Sequence, residues 1–315
     1  MKIANRQEIQ GVLCLPDVIR LMREALIAHS RGECDTPMPM HLDISDRGGE
    51  VHIKSSYRKN GRYFAVKIAA GFPQNTGKNL PTADGVILLV SAETGAPMAL
   101  LCDGGDLTDA RTAAVSALIA RELGRTDHSI GILGSGIQAR WQVRAHREVL
   151  PLREVWLWGR TPEHAEQCRA DIAALLPGID VRLASSPAEV AGRARLIVTT
   201  TAAHAPLLKL EDIGSGTLIS AVGSDSPGKQ ELHKEILEKA SFVLVDSITQ
   251  CERIGELQHA PGARHRAIEM GSFCDLRRAV ESARIVVADF TGLGVEDLYI
   301  AEDCVRKLEC LTNAV

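Results

Sequence analysis

The spacing of apolar and polar residues changes character three times along this chain. Residues 16–31 place Val18, Ile19, Met22, Ala25, Leu26 and Ala28 on one helical face, with Pro16 suited to a first turn. Residues 35–62 lose that period: Pro37 and Pro39 interrupt it, and alternating segments such as EVHIK (50–54) follow. Apolar runs at 63–70 (YFAVKIAA) and 85–91 (GVILLVS) predict strands. A turn at Glu93-Thr94-Gly95-Ala96 returns 97–102 (PMALLC) as the second arm of a hairpin. This first region is therefore expected to be α+β with an antiparallel sheet. Residues 106–123 predict a helix, rich in alanine and leucine after Arg111, capped by Asp106 and ended by Gly124. That helix is expected to bridge two domains.

Beyond it, strands and helices alternate. SIGIL (Ser129–Leu133) leads to a helix at 137–149, EVWLW (Glu154–Trp158) to one at 162–175, and 181–183 to a helical piece near 187–192. RLIVT (195–199), TLISAV (217–222), FVLV (242–245) and RIVVADF (284–290) supply further strands. Alternation of this kind predicts an α/β fold with a doubly wound, mostly parallel sheet. A final helix at 295–311 lies outside the alternation and is expected to rejoin the N-terminal region. The expected domains are 1–112, completed by 293–315, and 113–292.

After SIGIL come Gly134-Ser135-Gly136 and Ile137-Gln138-Ala139, the dinucleotide fingerprint with alanine in its third place. Gly134 permits the tight turn, Gly136 removes the Cβ that would block a pyrophosphate, and Ala139 lets the helix approach the sheet. The helix start offers free N–H groups to the phosphates. Such a turn also occurs for structural reasons alone; what favours a dinucleotide is the order strand, turn, helix. The second strand ends at Trp158-Gly159-Arg160-Thr161, without the acidic residue that NAD enzymes use for the ribose hydroxyls. Arg160, followed by Thr161, suits a 2′-phosphate, which favours NADP(H) over NAD(H); a helix-entry arginine without that role is the alternative. Thr199 and Thr200, followed by Thr201, offer hydroxyls at a strand end near a bound nucleotide. So does the loop AVGSDSPGKQEL (221–232): Val222 and Gly223 are candidate cofactor contacts and Asp225 a candidate catalytic group. The same composition also makes an ordinary surface turn.

Lys67 interrupts an apolar strand, and Arg111 opens the bridging helix. Buried cations need an anion, and an amino-acid carboxylate would serve; a lysine pointing outward on an alternating strand is equally compatible. Lys54 is a third candidate cation, with an exposed strand face as its alternative. His41 and His52 are candidate ligands, though isolated histidines are commonly structural.

Composition narrows the function classes. Of 315 residues, 45% are hydrophobic and 24% charged, with net charge −4 and no single-sign tract, which argues against nucleic-acid or membrane partners. No apolar run approaches the roughly 20 residues of a membrane span, and no signal-peptide pattern opens the chain. The eight cysteines are dispersed, with no C-x-x-C pair. They read as reduced thiols of a cytoplasmic protein, and neither a zinc site nor any other metal is expected.

The stretches YFAVKIAAGFPQN, LPTADGVILLVSAETGAPMALLCDGGDLTDARTAAVSAL, GILGSGIQA, AVGSDSPGKQEL and DFTGLGVEDL together resemble the ornithine cyclodeaminase/mu-crystallin family over essentially the whole chain. The resemblance implies a Rossmann domain beside a substrate-binding and dimerisation domain built from both chain ends, hence a homodimer. It implies Lys67 and Arg111 as carboxylate ligands, Thr112 near the cofactor and Asp225 as the catalytic aspartate. Two departures stand out. The family's arginine after a proline pair is missing from Thr36-Pro37-Met38-Pro39-Met40. The acid that cyclodeaminases use near residues 50–54 falls on His52 or Lys54. A lysine there suits a substrate with a second carboxylate. The resemblance thus implies an NAD(P)-dependent imine reductase or amino-acid dehydrogenase, with aspartate and iminosuccinate as candidate substrates. An ornithine cyclodeaminase, making proline and ammonia, and a non-catalytic crystallin-like binding protein are the alternatives.

Overall fold

A computed structural model describes residues 1–78, 80–276 and 284–313. The chain divides into two compact units, Met1–Arg111 with Leu293–Val315, and Thr112–Gly292.

The first unit is built on a seven-stranded sheet. Its order is Lys2–Ala4, Pro97–Leu101, Ala83–Ser91, Tyr63–Gly71, Gly49–Arg58 and Cys34–Asp35, and Met40–Ile44 also pairs with Gly49–Arg58. Every pairing is antiparallel except that of Lys2–Ala4 with Pro97–Leu101, which is parallel. Helix Leu15–Ser30 buries Val18, Ile19, Met22, Ala25 and Leu26, one face of a 3.6-residue period. Helix Gly294–Asn313 packs on it and on strands Gly49–Arg58 and Tyr63–Gly71. Gly294 makes that approach possible, because a Cβ there would lie 2.4 Å from the Ser55 carbonyl oxygen.

Strand Lys2–Ala4 and helix Arg6–Val12 were among the elements not expected, the helix held by a capping box between Asn5 and Glu8. The cap of helix Asp106–Glu122 is also corrected. Asp103 accepts the Leu107 N–H at 2.8 Å, whereas Asp106 lies within the helix and pairs with Arg6 at 2.8 Å.

The second unit holds an eight-stranded sheet with all neighbours parallel. From Ser129–Leu133 the chain runs outward through Glu154–Trp158 to Asp180–Leu183. It then returns to Leu196–Thr199 on the other side of the first strand, so strand order reverses there. The sheet continues through Leu218–Ala221, Val286–Asp289, Phe242–Val245 and Ala267–Glu269. Its central strands are buried throughout, as a sheet covered on both faces requires. A short parallel pair, His204–Leu208 with Gln230–Leu232, stands apart from the main sheet and was not anticipated.

Candidate active site

Because the sheet of the second unit is parallel, the carboxyl ends of its strands share one edge, and the loops leaving that edge are stitched together. The Gly134 N–H donates to the Trp158 carbonyl at 2.8 Å, Thr200 N–H to Leu133 at 2.7 Å, and Val222 N–H to Thr199 at 3.0 Å. Gly134 has φ 119°, and a Cβ there would meet the Thr200 hydroxyl at 2.5 Å. Only glycine fits this turn. At Gly136, by contrast, nothing lies within 4 Å of where a Cβ would stand. That open face adjoins helix Ile137–Arg147, whose N-terminus has no side-chain cap. Uncapped N–H groups beside an open glycine fit a diphosphate. Arg140 braces the turn from behind, donating to the Ser135 and Gly136 carbonyls at 3.0 and 2.9 Å while paired with Asp171.

The loop after Leu218–Ala221 carries Asp225, whose side chain is 43% exposed and paired with Lys229 at 2.7 Å. Three buried carboxylates organise the ground beneath it. Glu231 accepts from the hydroxyls of Thr199 and Thr201 at 2.5 and 2.7 Å and from the Gly223 N–H at 2.9 Å. Glu256 accepts from the Glu231 and Leu232 amides, and Asp289 from those of Glu256 and Leu257. Burial raises the carboxyls of Glu231 and Glu256, and lifts that of Asp289 to about 7. The Thr199 hydroxyl therefore points inward to Glu231. Thr200 donates to the Leu133 carbonyl at 3.2 Å.

In the first unit, Lys67 is 2% exposed, which settles the two readings of its strand in favour of burial. Lys54 lies directly opposite it across the antiparallel register and is 8% exposed, so Lys54 does not lie on an exposed strand face. The first turn of helix Gly294–Asn313 supplies the counter-charges. Lys67 Nζ lies 2.9 Å from both oxygens of Asp297, with hydrogen-bond geometry to Oδ1 alone. Arg111 donates to Glu296 at 2.9 Å and to Asp297 at 3.2 Å. Burial lowers Lys67 to about 7, with Arg111 and Lys54 adding to the effect against the pull of Asp297. For Asp297, burial would raise the carboxyl, but Lys67, Arg111 and Lys54 together hold it below its ordinary value. Asp103, within reach of the Lys67 field, is raised by burial. Three buried cations, Lys67, Arg111 and Lys54, thus lie in one electrostatic cluster with the buried carboxylate of Asp297.

The chain matches the model of the ornithine cyclodeaminase/mu-crystallin family over residues 1–308. It belongs to that family. It is 31% identical to the iminosuccinate reductase of Paracoccus denitrificans, covering 97% of this chain and 96% of that protein. It is 29% identical to the alanine dehydrogenase of Archaeoglobus fulgidus, covering 95% and 92%. Among solved structures it superposes with a TM-score of 0.90 on the Thermococcus litoralis Δ(1)-pyrroline-2-carboxylate reductase in complex with NADH and L-proline. That match has 26% identity and covers 100% of this chain and 99% of that one. The Paracoccus reductase, solved with NAD+, superposes with a TM-score of 0.88.

As a member of the ornithine cyclodeaminase/mu-crystallin family, the chain carries residues that sequence reasoning passed over. Glu231 lies in the quoted stretch AVGSDSPGKQEL, and Glu296 and Asp297 lie in DFTGLGVEDL, yet none was given a role. Lys229, the partner of Asp225, was missed likewise. Ile137 is half exposed at the helix start, and Gln138 accepts from Gln142 at 3.2 Å. Thr112 begins the second unit within the long helix. Arg160 is exposed after its strand, and Thr161 precedes helix Pro162–Leu175 without a side-chain capping bond. Among the described residues, no helix is long and apolar enough to cross a membrane.

Proposed function

We propose that this protein is an NAD(P)-dependent oxidoreductase acting between the α-carbon of a small amino acid and its imine. The observation that carries this reading is the buried cluster of Lys67, Arg111 and Lys54. Burying a cation costs several kcal/mol, a cost that carboxylates offset: those of Glu296 and Asp297 here, and that of a substrate when it binds. The uncapped helix start at Gly136 and Ile137 would hold the diphosphate of the dinucleotide, with Gly134, Ser135 and Val222 lining the same strand edge. When bound, the nicotinamide supplies or accepts the hydride.

The chain's own side chains do the rest. Lys67 and Arg111 grip the α-carboxylate and fix the α-carbon. Asp225 holds or receives the proton of the amine or iminium nitrogen, and Lys229, 2.7 Å away, orients its carboxylate. Lys54 favours a second carboxylate on the substrate and disfavours the second ammonium of a diamino acid. This supports an aspartate/iminosuccinate pair over ornithine cyclisation, as does the similarity to an iminosuccinate reductase. A purely ligand-binding role would leave the Asp225–Lys229 pair without a task. The similarity to an alanine dehydrogenase whose structure is a dimer supports a homodimer.

Assays of amino acids, and of 2-oxo acids with ammonia, against both nicotinamide cofactors test the reading, with ornithine followed by proline formation. Proline and ammonia from ornithine without net NADH would replace it with a cyclodeaminase.

Arg160 supports NADP(H), whereas the NADH and NAD+ of solved relatives support NAD(H). If Arg160 meets a 2′-phosphate, Arg160→Ala raises the KM for NADPH by ~10-fold or more and leaves that for NADH unchanged. Equal effects on both cofactors would remove Arg160 from cofactor choice.

The pH dependence has a definite sign. Free Lys67 releases its proton near pH 7, below the ordinary lysine range. A bound carboxylate returns that proton and holds it to higher pH, so binding takes up a proton above pH 7. Substrate Kd is therefore expected to weaken above pH 7 by up to about tenfold per unit. Lys67→Arg, whose charge does not titrate, should flatten that slope in a binding titration.

A further inference from the structure

We infer a divalent transition-metal site in the first unit, formed by His41, Glu50 and His52. Among the described residues these are the one group of His, Cys, Asp or Glu side chains whose ligand atoms all lie within 4.8 Å of one another. The hairpin register puts them there. Strand Met40–Ile44 pairs antiparallel with Gly49–Arg58, and His41 is directly opposite His52. Opposed residues share a face, and Glu50, two positions before His52, shares it too. The imidazole rings stand 4.7 Å apart at 65°, and His52 Nε2 is 3.5 Å from Glu50 Oε2.

Ligand chemistry selects the ion. Two donors that each bind a tetrahedral ion at about 2.0–2.1 Å stand roughly 3.4 Å apart, so the His52–Glu50 edge already has the required length. The ligand atom of the exposed His41 lies within 4.8 Å of the other two, and metal binding would turn its ring toward them. Two imidazoles and a carboxylate suit zinc, cobalt or nickel rather than calcium or magnesium, which prefer oxygen donors throughout. Three protein ligands leave a fourth position to water or an external anion. Lys54 follows two residues beyond His52 on the same strand face, so a bound ion would extend the positive character of that face.

The test uses the full chain, dialysed against chelator and titrated with Co2+ alone. The site predicts one equivalent of bound cobalt with visible d–d absorption, displaced by Zn2+, and a melting temperature raised by either ion. His41→Ala and His52→Ala, both at non-core positions, should keep the circular dichroism of the parent. Each should weaken binding by ~10²-fold, since loss of a direct ligand costs at least as much as the 10–100-fold seen for ligand-supporting residues. Absence of cobalt bands in the parent would overturn the site. So would bands that persist in the double variant, which would place the ion elsewhere, such as on the exposed thiols of Cys14 or Cys310. The readout is metal binding alone, so the site stands or falls separately from the hydride-transfer reaction.

Discussion

Arg111→Ala is expected to lower kcat/KM for the amino-acid substrate by ~10²–10³-fold, the range for truncating one partner of a buried, hydrogen-bonded charge pair. It is also expected to destabilise the fold by ~3–5 kcal/mol, because Glu296 and Asp297 lose a cation they each touch while remaining buried. The two effects separate in Arg111→Lys. That variant keeps the charge and most of the stability but cannot span both carboxylates with a planar fork, so substrate binding falls further than the unfolding midpoint does. Denaturant unfolding beside steady-state kinetics measures both. A parent-like kcat/KM in Arg111→Ala would show that the substrate carboxylate is held elsewhere.

Asp225→Ala is expected to lower turnover by ~10²-fold or more, in line with loss of a general acid–base group, while cofactor binding survives. The separation follows from the local structure. The loop that carries Asp225 is fixed by Glu231, Glu256 and Asp289 through backbone amides, so removing the Asp225 carboxylate leaves that scaffold in place. Asp225 is also half exposed, so its pairing with Lys229 adds little to stability. Fluorescence titration of the nicotinamide cofactor checks the first half of the expectation and steady-state rates the second. Undiminished turnover would remove Asp225 from the chemistry.

Where a signal was local, the sequence carried it well. The helix expected at 162–175 is Pro162–Leu175, and the apolar runs at 129–133, 154–158 and 242–245 are strands with those bounds. Alternation of strand and helix was enough for the doubly wound sheet, because each unit of it is written within about thirty residues. Short or remote pairings were not legible. Strand Lys2–Ala4 exists only through its register with Pro97–Leu101. The Asn5 and Glu8 capping box that starts the first helix was a local sign left unused.

The candidate site residues divide in the same way. Lys67, Arg111 and Asp225 stand out as charges in apolar or strand-end contexts. Their partners do not: Asp297 is 230 residues from Lys67, and Glu296 is 185 from Arg111. No periodicity announces such a pairing, and Lys54 reads as a solvated strand position until helix Gly294–Asn313 is seen to pack over its strand. His41, Glu50 and His52 match no metal motif along the chain, since the hairpin, not their spacing, brings them together.

Gly294–Asn313 also sets an order of events during synthesis. Polypeptides grow from the N-terminus, so Lys67 and Arg111 emerge long before Glu296 and Asp297 exist to neutralise them. The unit Thr112–Gly292 is continuous and can fold as soon as it is made, whereas the one that begins the chain must wait for that helix. Ribosome-bound intermediates should therefore acquire a protease-resistant nucleotide-binding fold first, reversing the usual N-terminal precedence.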